Sequence, residues 1–316
     1  MSRAFMFPGQ GSQLIGMGQA LAATYPSAKA VFDEVDEALG QSLSHLMWHG
    51  TQEELTLTEN AQPALMAVSL AVIKALESGG FKLADNVAYV AGHSLGEYSA
   101  LAAAGVFSLA DTARLLKIRG QAMQQAVPMG QGSMAAIMGF AFPEIVAIAS
   151  EAETAGGVCR AANDNAPGQV VVSGSAEAVA RACEIAKERG AKRAVELAVS
   201  APFHCPLMQP AAETMAQALA DIDMRPPLVP LIANVTAQPS TDAEIIREQL
   251  ITQVTGVVRW RESVEFLAEN SVTELVEIGA GKVLSSLARR INRDLQLDAL
   301  GDPETIDAFL SHHMNK

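Results

Sequence analysis

Four short apolar runs rich in strand-forming residues, Arg3 to Phe7, Val87 to Ala91, Leu228 to Ala233 and Glu274 to Ile278, are separated by long stretches with helical periodicity. That alternation predicts an α/β core around a mostly parallel sheet. Between the second and third runs the rhythm shortens. Met134 to Phe140 reads as strand, Pro143 to Glu153 as helix, Val158 to Ala162 and Gln169 to Ser173 as strands, Glu177 to Lys187 as helix and Arg193 to Leu197 as strand. This β-α-β-β-α-β order is ferredoxin-like and predicts a small subdomain inserted into the larger one. Pro and Gly punctuate both edges, at Val127-Pro128-Met129-Gly130 and Ser200-Ala201-Pro202. The expected division is therefore a core of residues 1–127 and 201–316, an insert of residues 128–200, and a cleft between them.

Composition removes several classes of function. With 316 residues, 49% of them hydrophobic and 18% charged, the chain can bury a sizeable core and is far from the composition of disorder. Its 22 Lys and Arg against 35 Asp and Glu give a net charge of −13, which repels a phosphate backbone and argues against nucleic-acid binding. The most apolar stretches, Ala64 to Leu76 and Val87 to Ala110, are broken by Lys74 and by His93 and Glu97, so no membrane span is expected. The apolar run Ala4 to Phe7 stops at Pro8, too early for a secretory signal. Cys159, Cys183 and Cys205 are odd in number and lack Cys-x-x-Cys spacing, which predicts reduced thiols in a cytoplasmic protein.

Gly92-His93-Ser94-Leu95-Gly96 follows the second strand run and precedes a helical pattern over Glu97 to Ala104, the context of a nucleophile elbow. Ser94 would project from a tight strand-to-helix turn beside the unpaired N–H groups of the helix start. The plainer alternative is a Gly-rich turn with a capping serine. A serine hydroxyl needs a base, and six histidines are available. His45 and His49 share a helix face without a third metal ligand nearby, and His312 and His313 lie in the C-terminal tail. His93 adjoins Ser94, where neighbours on a turn point apart, so it supports the elbow. His204 remains, in Ala201-Pro202-Phe203-His204-Cys205-Pro206, where the insert returns to the core and two prolines restrict the backbone. Its alternative is a structural histidine capping the helix that starts near Pro206.

The helix opening at Ser108-x-x-Asp111 carries Leu115, Leu116, Arg119, Ala122 and Met123 on one face. Arg119 thus lies on an apolar stripe, where a permanent cation is costly without an anion. That anion is a protein carboxylate or a substrate carboxylate, unless the side chain snorkels to water. Phe7-Pro8-Gly9-Gln10-Gly11-Ser12-Gln13 sits at the ligand edge of the first strand, but Leu14 stands where a dinucleotide fingerprint needs a small residue. Gly279-Ala280-Gly281-Lys282 lacks the spacing of a phosphate loop and reads as a turn from the fourth strand into a helix at Val283. No metal or bound redox cofactor is called for.

Five segments together resemble the malonyl-CoA:acyl carrier protein transacylases of dissociated fatty acid synthesis, nearly end to end. They are Phe7 to Gln13; Gly92-His93-Ser94-Leu95-Gly96-Glu97-Tyr98; Arg119-Gly120-x-x-Met123-Gln124; Phe203-His204-x-x-Leu207-Met208; and Glu277-Ile278-Gly279-x-Gly281-Lys282-Val283-Leu284. The resemblance implies that Ser94 is acylated, His204 is the base and Arg119 holds the malonyl carboxylate. It implies that the backbone amides of Gln10 and Leu95 form an oxyanion hole and that Gln253 orients His204 in place of a triad carboxylate. Phe203, just before the histidine, fits a tendency toward malonyl selection, and Met123 stands with it as a selectivity position. The implied substrates are malonyl-CoA and acyl carrier protein, and the implied fold is a hydrolase-like core carrying the ferredoxin-like insert.

Overall fold

The computed structural model describes residues 2–153 and 157–313. Ten strands occur among them: β1 (Ser2–Phe7), β2 (Tyr89–Gly92), β3 (Gly132–Met138), β4 (Cys159–Ala166), β5 (Gln169–Ser175), β6 (Arg193–Glu196), β7 (Leu231–Ile232), β8 (Pro239–Ser240), β9 (Val272–Ile278) and β10 (Gln296–Leu300). One sheet has six strands in the order β10-β9-β1-β2-β7-β8, parallel throughout except for the β7–β8 pair. The other has four antiparallel strands in the order β4-β5-β3-β6.

The inner strands of the large sheet are buried on both faces because they are largely apolar, and their side chains alternate between two cores. Phe5 and Phe7 of β1 point into one hydrophobic cluster while Ala4 and Met6 point into the other. On β9, Val276 and Ile278 take the first side and Leu275 the second. The first core is dominated by the helix Thr58–Ser78, which is apolar nearly all round and buried over most of its length. This is the Ala64 to Leu76 stretch of the sequence, and no described helix is long and apolar enough to cross a membrane.

The four-stranded sheet is covered on one face only. Ala135, Ile137, Val170 and Val172 pack under the helices Phe142–Ala152 and Ala176–Glu188. The opposite face presents Met134 and Val171, joined by Leu197, Val199 and Phe203. Two attachments fix this sheet to the larger one. Asn163 on β4 bridges Val258, with main-chain bonds of 2.9 Å on either side, and the buried Asp164 pairs with Arg261 at 2.8 Å. Residues expected to be strands and helices in this segment are so, within two residues at most ends; the main exception is β4, which runs on to Ala166. Two strands, β8 and β10, were not expected, and β7 is only two residues long where six were expected.

Candidate active site

The turn between β2 and the helix Gly96–Ala103 holds Ser94 at φ 54°, a left-handed conformation that costs a residue with a Cβ about 1–3 kcal/mol and is tolerated where surrounding contacts enforce it. The enforcing contacts are close approaches at the flanking glycines. A Cβ on Gly92 would lie 2.0 Å from the Gly96 carbonyl carbon, and one on Gly96 would lie 2.1 Å from the Phe7 carbonyl oxygen on β1. Since strand backbone cannot yield, Gly96→Ala is expected to destabilise the fold by about 3 kcal/mol or more. A fall in the urea midpoint at unchanged m-value would register it, and a change below about 1 kcal/mol would contradict the close approach.

His204, the histidine singled out as the candidate base, follows the last strand of the four-stranded sheet. His204 precedes the short 3₁₀ turn Pro206–Met208 and has φ 60°, so Ser94 and His204 are both held in left-handed backbone. Its Nε2 lies 2.8 Å from Ser94 Oγ, and its Nδ1 lies 2.8 Å from the main-chain oxygen of Gln253. A carbonyl only accepts, so Nδ1 carries the proton and Nε2 is left with its lone pair toward the serine hydroxyl. Burial, reinforced by the nearby Arg119 charge, pushes the imidazole down to about 3 and keeps it neutral. Both ring nitrogens are thus engaged, one by Ser94 and one by Gln253.

Arg119, on the helix Leu109–Gln125, is 1% exposed and makes no ion pair among the described residues. Its Nη2 donates to Ser94 Oγ at 3.2 Å and to Gln253 Oε1 at 2.7 Å, and Nη1 donates to Gln62 Oε1 at 2.9 Å. The guanidinium also stands over the Tyr98 ring, 5.6 Å from its centroid. Nε is buried without an acceptor. Neutral amides and a ring therefore surround a full positive charge, which neither snorkels nor finds a protein carboxylate in contact. Burial lowers its pKa, though a guanidinium remains charged at neutral pH.

Ser94, His204 and Arg119 open onto one cavity of about 210 Å³. Gln10, Leu95, His93, Met123 and Phe203 line it too, and the open face of the four-stranded sheet roofs it through Met134, Val171, Leu197 and Val199. Larger clefts of about 360, 310 and 440 Å³ lie elsewhere on the surface, but none has a histidine in its wall. The Gly279-Ala280-Gly281-Lys282 turn borders two of them, and the carboxylate of Glu277 already caps the helix that follows it. His93 turns away from Ser94, bonding Asn165 of β4 through Nε2 at 2.8 Å.

Several polar residues of the site escaped sequence reasoning. Asn234, just beyond β7, accepts the Ser94 amide on Oδ1 at 2.8 Å and donates to the Gly92 carbonyl at 2.6 Å, tying the elbow from below. Glu97 is fully buried beneath Gln253, and Gln62 holds Arg119 from the helix Thr58–Ser78. A signal existed for Gln62, a polar residue just ahead of an apolar run. Asn234 offered none, because its role depends on β7 lying beside β2.

Compared with known proteins, residues 4–296 match the acyl transferase domain. The chain is 48% identical over 304 residues to the malonyl CoA-acyl carrier protein transacylase of Bacillus subtilis, covering 96% of this chain and 95% of that one. It is 46% identical over 307 residues to the enzyme of the same name from Escherichia coli K12, covering 97% and 98%. Among solved structures, the acyl-carrier-protein-S-malonyltransferase of Bartonella henselae superposes with a TM-score of 0.96 at 55% identity, over 99% of both chains. A malonyl-transacylase in complex with a type II PKS acyl-carrier protein gives 0.95 at 42% identity, over 99% and 100%. With the geometry above, these matches establish that the chain belongs to the acyl transferase domain family, alongside the malonyl CoA-acyl carrier protein transacylases.

Proposed function

We propose that the chain moves a malonyl group from coenzyme A to the phosphopantetheine thiol of acyl carrier protein through a malonyl-serine intermediate, supplying fatty acid synthesis. The observation that carries this reading is a buried Arg119 without a protein carboxylate, placed beside a hydrogen-bonded Ser94–His204 pair in one cavity. A buried cation held by neutral partners next to a nucleophile is what a carboxylated acyl group requires.

Ser94 Oγ attacks the thioester carbon while His204 Nε2 takes its proton, and the carbonyl oxygen becomes an oxyanion. The amides of Gln10 and Leu95 are assigned to that oxyanion; both residues line the cavity, and neither amide is engaged in a main-chain bond. Coenzyme A leaves as the thiol, taking the proton from His204. The carrier thiol then gives its proton to His204 and attacks the ester; the ester bond breaks, malonyl leaves on the carrier sulfur, and His204 returns the proton to Ser94 Oγ. The Gln253 carbonyl keeps His204 in the right tautomer through both half-reactions, the part a carboxylate plays in other triads. Phe203 and Met123 bound the acyl chamber and set how much bulk is admitted beside the carboxylate.

The strand orders support the finer reading of the architecture. Within residues 128–200, taken as the insert, the four strands run second-third-first-fourth across the sheet with both helices on one face, as in a ferredoxin-like subdomain. Residues 1–127 and 201–316 then form the hydrolase-like core, with the nucleophile on the turn after an inner parallel strand. Three buried, unpaired cysteines fit a reducing, cytoplasmic setting.

The test is intact mass after brief incubation with malonyl-CoA, followed by addition of the phosphopantetheinylated carrier. The expected result is gain of one malonyl group by the enzyme and its appearance on the carrier. Release of free malonate with an unmodified carrier would instead identify a hydrolase.

A further inference from the structure

The carboxylate of Glu97 bonds to neither Ser94 nor His204, yet both its oxygens are committed to residues that do. It lies in the first turn of the helix Gly96–Ala103, fully buried. Oε1 accepts the main-chain N–H of Asn234 at 3.0 Å, and the Asn234 side chain in turn holds the amide of Ser94. Oε2 accepts from Gln253 Nε2 at 2.5 Å. The same Nε2 donates to the Ser94 carbonyl at 2.9 Å, which leaves Gln253 Oε1 as the acceptor for Arg119 Nη2 at 2.7 Å.

A carboxamide has one donor end and one acceptor end, so whatever fixes the first also fixes the second. We propose that Glu97 is a positioning residue that locks the Gln253 amide with its oxygen toward Arg119, and so aims the guanidinium at the carboxylate of the incoming acyl group. This rests on the malonyl-transfer reading given above. The side chain at position 97 has to accept twice, and only an ionised carboxylate does so at both oxygens. A glutamine there would keep its oxygen on the immovable Asn234 N–H and turn its own NH₂ against Gln253. The Gln253 amide would then rotate, lose the Ser94 carbonyl and set its NH₂ against the Arg119 cation. Two donors facing each other in a buried site repel, and Arg119 would be displaced from its place beside Ser94.

The lock is also sensitive to pH. Burial raises the Glu97 carboxyl to about 7, against the opposing pull of the Asn234 and Gln253 hydrogen bonds and the Arg119 charge. A protonated Glu97 loses one accepting oxygen, so the lock holds above that pH and loosens below it. The titratable groups that act on Glu97 are Arg119, across on the helix Leu109–Gln125, and Tyr98 on its own helix. Tyr98 is pushed up to about 12, His204 on the far side of Gln253 is pushed down to about 3, and burial lowers His93 as well. Tyr98 and His204 lie far from neutrality and burial moves His93 away from it, which leaves Glu97 as the group assigned to a transition near 7.

The experiment measures the rate of Ser94 loading from malonyl-CoA and from acetyl-CoA by intact mass, for the unaltered chain and Glu97→Gln, from about pH 6 to about pH 8.5. In the variant at the upper end, kcat/KM for malonyl loading is expected to fall roughly tenfold to a hundredfold, chiefly through KM, while acetyl loading changes less than about threefold. In the unaltered chain the malonyl-to-acetyl ratio should fall as pH drops through about 7, and in Glu97→Gln it should be flat. An unchanged ratio in a folded variant overturns the inference. If the variant does not fold, a pH-independent ratio in the unaltered chain overturns it instead. Failure of the unaltered chain to take up malonyl at all strikes the malonyl-transfer reading, and this inference falls with it.

Discussion

A Ser94→Ala chain incubated with malonyl-CoA should show no gain in mass, and transfer to the carrier should drop by roughly 10⁴-fold to 10⁶-fold in kcat. The hydroxyl is the group to which both His204 Nε2 and Arg119 Nη2 are bonded, at 2.8 and 3.2 Å. With it removed, the cavity keeps its walls and its cation but has no atom to carry the acyl group between donors. His204 keeps its lone pair toward the vacated position but is held back there by its bond to the Gln253 carbonyl, a hydroxyl's reach farther from the acyl carbon. Alanine cannot relieve the left-handed φ of 54° at this position, so stability should change little and the loss can be read as chemistry. A mass gain that survives the substitution would place the covalent step on another residue.

Arg119→Ala should reduce malonyl loading by about a hundredfold to several thousandfold while leaving acetyl loading equal or faster. The size follows from breaking a buried charge pair, about 3–5 kcal/mol when one partner is deleted, at about 1.4 kcal/mol per factor of ten. The direction for acetyl follows from the opposite consideration. An acetyl group offers nothing to the guanidinium, so its binding leaves a buried cation facing an apolar methyl, and removing the cation removes that penalty. Loading rates with the two thioesters side by side give the answer. Equal loss for both would mean that Arg119 serves Ser94, to which it also donates, and not the substrate.

The outline of the fold was legible wherever a periodic pattern coincided with a buried face. β1 and β9 were read within two residues because nearly all their residues are buried and their apolar side chains feed both cores. β10 was missed because Gln296 and Asp298 interrupt it at the sheet edge, where only one side is packed. β7 was read too long, since the Leu228 amide bonds the Ala104 carbonyl at the end of a helix and the strand register with β2 covers only Leu231 and Ile232. In the site, Ser94, His204 and Arg119 were legible for different reasons: a turn signature, a position at the segment boundary, and a cation on an apolar stripe. Their supports were not. Glu97, for example, stands one hydrogen bond behind Gln253. Gln253 meets His204 through its main-chain carbonyl, an atom every residue possesses, while its side chain bonds Arg119. No linear pattern distinguishes those two duties.

The chamber's ceiling and floor come from different sheets. Ser94 and Arg119 hang from the six-stranded side, and Met134 and Val171 look down on them from the four-stranded side, across attachments at Val258 and Arg261. Evolution can therefore trade side chains on the upper ribbon to admit longer or branched extender units, leaving the bond-making apparatus below untouched.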